Sequence, residues 1–139
     1  MKTKAKVIIQ YQGKLLLLKP LDKNKLTLIG GSTEKKERPE LALIREAKEE
    51  ANLELDPKQL KFFYADETII NEKPCMFYCF LLEGQDIPFE LREKEKFKYV
   101  DWIPAHEALE RLKGIEKEMV LRYLNNPDAT YDYHTLLTV

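Results

Sequence analysis

Within about two turns of one helix-forming stretch the chain gathers Arg45, Glu46, Glu49 and Glu50. At roughly 100° of rotation per residue the three acids stand at i, i+3 and i+4 and share a face. Ile44, Ala47 and Ala51 fall nearly opposite, so the expected helix packs an apolar stripe into a core and presents its acids to a cleft. Ala42, on the acidic side, leaves room there. Like charges at i, i+4 cost an exposed helix only about 0.2 to 0.5 kcal/mol per pair. Taken alone, then, a solvated acidic face would account for the helix.

The surrounding residues point further. The run reads Gly31, five residues, Glu37, seven residues, then Arg45-Glu46-Ala47-Lys48-Glu49-Glu50-Ala51-Asn52-Leu53. This spacing resembles the Nudix box, Gly-x5-Glu-x7-Arg-Glu-U-x-Glu-Glu-x-Gly-U, with U a bulky aliphatic residue. Gly31, Glu37, Arg45, Glu46, Glu49 and Glu50 meet its fixed positions, and Leu53 fills the last aliphatic slot. Three positions depart from the pattern. Asn52 stands where the family has Gly, a left-handed position that Asn tolerates well. Ala47 occupies an aliphatic slot and removes volume. Arg38 takes the N-cap position before Pro39, so a cap worth about 1 kcal/mol is missing.

Clustered carboxylates without nearby His or Cys suit a hard cation, Mg²⁺ or alternatively Mn²⁺, rather than zinc. Hydrolysis of a phosphoanhydride needs an activated water and neutralised phosphate oxygens, and such an ion supplies both. The resemblance implies that Glu46, Glu49 and Glu50 bind the metal, Glu49 and Glu50 foremost, with a backbone carbonyl at a glycine turn near Gly30 joining them. It also implies that Arg45 orients the box glutamates from behind, with Glu37 as its other partner or a weaker ligand. The family's general base is either the box residue matching Glu46 or a glutamate on a downstream loop. Glu90, Glu93 and Glu95 precede Tyr99-Val100-Asp101-Trp102-Ile103-Pro104, which looks like the family's closing strand, and Glu95 is nearest the expected place.

With 139 residues, 44% hydrophobic and 34% charged, the chain suits one core, read here as a single Nudix hydrolase domain over 1–139. A net charge of −1 excludes a general nucleic-acid surface. Cys75 and Cys79 are about 13 Å apart along a strand, too far for a disulfide, and two free thiols suit a reducing cytoplasm. No segment has the length for a membrane span or the pattern of a signal peptide.

Residues 4–11 and 14–19 read as strands around a Gln12-Gly13 hairpin, and 26–29 as a short strand feeding the glycine turn. Residues 61–70 and 74–82 read as strands joined at 71–73, and 99–103 as another. Helices are expected over 105–112 and 115–124, separated at Gly114. The order matches a Nudix-type α/β/α sandwich with a mixed central sheet.

The resemblance implies a Mg²⁺-dependent hydrolase that cuts the pyrophosphate bond of a nucleoside diphosphate linked to another group: a nucleoside triphosphate, ADP-ribose, a nucleotide sugar or a dinucleoside polyphosphate. The alternative is a catalytically silent nucleotide sensor with the same fold. Phe62, Phe63, Tyr64, Phe77, Tyr78, Phe80 and Tyr99 are available to stack on a base, but alternation along strands favours core packing for each. A homodimer is an expectation of the family, and the apolar segment 131–139 is read as covering either a partner or the chain's own core, composition favouring the second.

Overall fold

Leu15 to Leu18 point alternately to the two faces of a strand, and all four are fully buried, so a layer must cover each face. The computed structural model describes residues 1–130. Six strands, β1 (Lys2–Tyr11), β2 (Lys14–Pro20), β3 (Thr27–Ser32), β4 (Lys61–Ile70), β5 (Lys73–Glu83) and β6 (Phe97–Pro104), form one sheet in the order β4-β5-β1-β3-β2-β6. Strands β1 and β5 run parallel, and the other neighbours are antiparallel.

Helix α1 (Pro39–Ala51) covers one face, setting Leu43, Ala47 and Ala51 against Ala5, Val7, Ile9, Leu16 and Leu18. Helices α2 (Ala105–Arg111) and α3 (Gly114–Asn125) cover the other, where Ala108, Met119 and Val120 meet Ile8, Leu15 and Leu17. This is the α/β/α sandwich expected. Fully burying one such Leu or Ile is worth about 1.5 to 3 kcal/mol. A one-residue slip would exchange the two faces, so the alternation pins the register.

The tight turns follow from backbone preference. Gln12 and Gly13, at φ 50° and 76°, close the β1–β2 hairpin, and Asn71 and Glu72, at 51° and 67°, close β4–β5. Lys73 therefore begins β5 instead of belonging to the connection. A 3-10 turn at Pro57–Gln59 was not signalled by periodicity. Both cysteines are buried and unpaired. The segment 131–139 lies outside the described residues. No helix among the described residues is long and apolar enough to cross a membrane.

Two expectations are corrected. Gly30 and Gly31 do not form a turn; they continue β3 opposite Lys6 and Ala5 of β1. Gly30 has φ 132°, and a Cβ there would lie 2.0 Å from the Ala5 carbonyl oxygen, so the strand passes this point only as glycine. Helix α1 is also rotated from the orientation expected. Its buried residues are Ala42, Leu43, Ala47, Glu50 and Ala51, whereas Ile44 is half-buried. The helix side facing β3 carries Glu46, whose carboxyl lies where a Gly31 side chain would stand, and Glu50, turned inward to the Gly30 N–H.

The ends of α1 follow the sequence. Arg38 makes no side-chain cap bond before Pro39. Asn52 adopts φ 51°, ψ 33°, its N–H donates to the Lys48 carbonyl at 3.1 Å, and Leu53 N–H donates to Ala47 at 3.3 Å. Replacing Asn52 with Val should lower stability by about 1 to 2 kcal/mol, because the left-handed position disfavours a branched Cβ. Asn52→Gly should match or exceed wild type. Urea denaturation of the two variants beside wild type checks both signs.

Candidate active site

Glycine in β3 and acid in α1 fit one another atom by atom. A Cβ on Gly31 would stand 2.7 Å from Glu46 Cδ, so the missing side chain is the space in which the Glu46 carboxylate lies. One residue earlier, the Gly30 N–H donates to Glu50 Oε1 at 2.9 Å. Glu50 is 5% exposed. Burial pushes its carboxyl up to about 8, against the opposing pull of Lys6 and the Gly30 N–H.

Arg45 organises the other box acids. Its Nε and Nη2 donate to the two Glu37 carboxylate oxygens at 3.1 and 2.9 Å, a bidentate pair. Nη1 donates to Glu46 Oε1 at 3.0 Å, and Nη2 also donates to the Ser32 carbonyl at 3.1 Å. The same guanidinium stands 3.6 Å from Glu49 Oε2. These hydrogen bonds hold the Glu37 carboxyl below the usual carboxylate range, helped by the Glu34 N–H, and raise Arg45 in turn.

A loop of residues 84–96 fastens the helix from its far end. Glu90 N–H donates to the Ala51 carbonyl and Arg92 N–H to the Glu50 carbonyl, each at 2.9 Å. Ile87, Phe89 and Leu91 pack into the α1-side core beneath it. Glu93 follows directly after this anchor, and its charge contributes to raising Glu50. Glu95, the residue nearest the expected place for a loop base, is exposed on a turn and does not line the cleft.

The cleft holds about 390 Å³ and is lined by Gly30, Gly31, Glu46, Glu50, Lys4 and Lys6, with Lys23, Lys25, Lys96, Phe97 and Glu116 around them. A larger hollow of about 660 Å³, between Met1 and the β4–β5 turn, has no carboxylate in its lining and so lacks the donors this chemistry needs. Among the predicted site residues, the structure brings Glu46, Glu50 and Gly30 to one cavity, with Arg45 and Glu37 bracing them from outside it. Glu49 is different. It is exposed, leans toward Arg45 and is absent from the lining, and among the described residues no three acid, His or Cys side chains are gathered tightly enough to hold a metal ion. The expected convergence of all three acids is corrected accordingly. Competition from Arg45 and the inward turn of Glu50 separate them.

Even so, the donor set fits a hard divalent cation. Mg²⁺ keeps several waters and is commonly held by one or two carboxylates plus substrate phosphates, and Glu46 and Glu50 provide two. Glu50 in particular is a desolvated carboxyl with a single backbone donor, and a bound cation would favour its ionised form. The Gly30 carbonyl accepts from Lys6 Nζ at 3.3 Å.

Lys6 was missed from sequence. It is 7% exposed, donates also to the Leu28 carbonyl at 3.1 Å, and stands 3.9 Å from Glu116 Oε2. The signal was present in Lys4-Ala5-Lys6-Val7-Ile8, where alternation puts both lysines on the face of buried Ile8. The aromatic residues behave as alternation suggested. Phe63, Tyr64, Phe77 and Phe80 are buried, Phe62 and Tyr78 pack against the α1-side core, and Tyr99 accepts from Arg111 at 2.8 Å. None of them lines the cleft; Phe97 does.

The model of the NUDIX domain family matches residues 2–123. A search of curated proteins finds no match. Among solved structures, the chain is similar to a MutT NUDIX hydrolase from Burkholderia pseudomallei, at 19% identity and TM-score 0.73, covering 86% of this chain and 95% of that one. It is similar to a C. elegans Ap4A hydrolase in a binary complex, at 19% identity and TM-score 0.72, covering 90% and 96%. It is also similar to a bifunctional NMN adenylyltransferase/ADP ribose pyrophosphatase from Francisella tularensis complexed with AMP and Mn ion. That likeness has 17% identity and TM-score 0.70, and covers 88% of this chain and 41% of the other.

The Glu37–Arg45 pair gives a pH test of the brace. A carboxyl whose folded pKa lies below its unfolded value contributes stability above the unfolded value, about 4.3, and loses it as pH falls through the lowered one. Glu37→Gln should therefore reduce the urea midpoint at neutral pH. The gap from wild type should close as pH falls from about 5 to about 3.

Proposed function

Because the chain belongs to the NUDIX domain family, and so to the pyrophosphohydrolases that act on phosphoanhydride bonds, we propose that it is a Mg²⁺-dependent hydrolase of a nucleoside diphosphate linked to another group. The observation that carries this reading is the pairing of Glu46 with Gly31 and of Glu50 with Gly30 at the wall of one cleft. Glu46 and Glu50 would hold the ion, with the Gly30 carbonyl beside them and Glu49 approaching from the rim. A bound divalent ion supplies neutralisation of phosphate oxygens and a more acidic water. Mn²⁺ would serve the same donors, and the Francisella tularensis neighbour is described with a Mn ion.

The chain's own residues then do the following. Lys4, Lys6 and Lys96 line the cleft and attract the diphosphate. Arg45 holds Glu46 in place so that its carboxylate does not need to reorganise. The water oxygen bonds to one phosphorus, the bridging P–O bond breaks, and its electron pair leaves with the departing phosphate. The proton from that water passes to a loop carboxylate. Neither Glu93 nor Glu95 lines the cleft; Glu93 fits this role better, because it is half-buried directly after the Arg92 anchor and its charge reaches Glu50, whereas Glu95 is exposed. The products are a nucleoside monophosphate and either pyrophosphate or a phosphorylated partner.

The cleft has few apolar walls, so specificity for the base is weakly built, and the substrate class within the family's range is best read by assay. The named neighbours suggest dinucleoside polyphosphates and ADP-ribose as panel members.

Phosphate release from a nucleotide panel, with and without Mg²⁺ and with pyrophosphatase added, tests the proposal. Metal-dependent release from at least one member is expected. Binding without release would instead indicate a sensor. On a cleaved substrate, Glu50→Gln should lower kcat by about 10² to 10⁴, and Glu93→Gln by about 10² or more. Glu95→Gln should stay within about twofold of wild type. Full activity in Glu50→Gln would contradict the metal assignment.

A further inference from the structure

Next to the cleft lies a second hollow of about 270 Å³ whose chemistry the box does not explain. The two share Lys4, Lys23, Lys25 and Glu116 in their linings, so they adjoin. The second adds Lys113 at the start of α3, with Thr68 and Ile69 of β4 and Phe77 of β5 behind it. Four ammonium groups thus face one carboxylate. That carboxylate is already engaged: Glu116 Oε1 accepts from the Leu28 N–H at 2.6 Å, and Oε2 lies 3.9 Å from Lys6 Nζ.

Surface lysines are usually solvated singly or paired with acids. Here the arrangement is different. Among the described residues, the ion pairs of the structure include none from Lys4, Lys23, Lys25 or Lys113 to a carboxylate. Lys4 is half-buried, with its ammonium 6.0 Å from the centre of the Phe77 ring. Burial and then the charges of Lys6 and Lys2 hold its ammonium below the ordinary lysine value. The Glu116 charge acts more weakly against them. Like charges crowded into a concave, partly apolar site focus a positive potential, and an anion entering it relieves their repulsion. The first turn of α3, at Gly114 and Ile115, opens onto the same space and adds its partial positive charge. A multiply charged phosphoryl group matches this number of cations better than a singly charged carboxylate does.

Resting on the reading that the cleft holds the scissile diphosphate, we propose that this hollow is a phosphoryl subsite. It takes a phosphate group of the substrate additional to the two joined by the bond that is cut. The substrate class is then a diphosphate compound carrying further phosphate, held at one end by Glu46 and Glu50 through their cation and at the other by Lys4, Lys25 and Lys113.

Binding of inorganic tripolyphosphate to the full chain in excess EDTA, followed by calorimetry, tests the subsite without metal or turnover. Wild type should bind, and Lys25→Gln/Lys113→Gln should weaken Kd about tenfold or more. Lys61→Gln, at the other end of β4 from the hollow, should leave Kd within about twofold. Lys25 lines both hollows, so the site-specific report comes from Lys113→Gln alone, whose residue lines the hollow and not the cleft and whose loss should by itself weaken Kd measurably relative to Lys61→Gln. Absence of binding by wild type, or equal Kd values in the double variant and Lys61→Gln, would overturn the proposal. The two readings fail separately. Lysine-dependent binding in a chain that hydrolyses no panel member would sink the hydrolase and leave the subsite. Glu50-dependent hydrolysis with unchanged tripolyphosphate binding would do the reverse.

Discussion

A carboxylate removed from water must be compensated where it stands, and Glu50 has one hydrogen bond, from the Gly30 N–H at 2.9 Å, with which to meet that cost. Much of the local architecture serves to keep that contact. Strand β3 passes through Gly30 in a conformation only glycine tolerates there, so its N–H meets the helix. Glu50 shares the buried side of α1 with Ala42, Leu43, Ala47 and Ala51. The loop anchored at Glu90 and Arg92 then holds the last turn down.

Beside this contact, Arg45 acts as a clamp with several partners. It takes Glu37 bidentately, Glu46 through one oxygen and the Ser32 carbonyl, tying helix, preceding loop and strand to one planar group. The clamp leaves Glu46 in the space that Gly31 vacates while drawing Glu49 toward the outside. In the proposed reading, that division of labour leaves Glu46 and Glu50 as the two carboxylates available to a cation at the wall of the cleft.

The layers of the fold were legible because they rest on alternation. Leu15 to Leu18 declare a strand buried on both faces, Gln12-Gly13 declares a hairpin, and Asn52 declares the end of α1. What was not legible depended on relations between elements. Nothing in Leu28-Ile29-Gly30-Gly31 reveals that β1 pairs through the glycines and keeps them in a strand. The rotation of α1 was misread because Ile44 outweighs Ala42 in any hydrophobic count, yet Ala42 is the one fully buried. Spacing located the box residues but could not tell that Arg45 would compete for Glu49. Nor could it tell that the loop carrying Glu93 and Glu95 is tied to the end of the helix, since that depends on hydrogen bonds from Glu90 and Arg92 to Ala51 and Glu50.

Manganese binding measured by electron paramagnetic resonance addresses the central claim directly, because it reports on the cation site with no substrate and no turnover. Titrating Mn²⁺ into the wild-type chain should remove free-ion signal saturably at one or more sites, and the Glu46→Gln/Glu50→Gln double variant should leave the free signal nearly intact while retaining the wild-type circular dichroism spectrum. Equal manganese uptake by the folded double variant and by wild type would contradict the account.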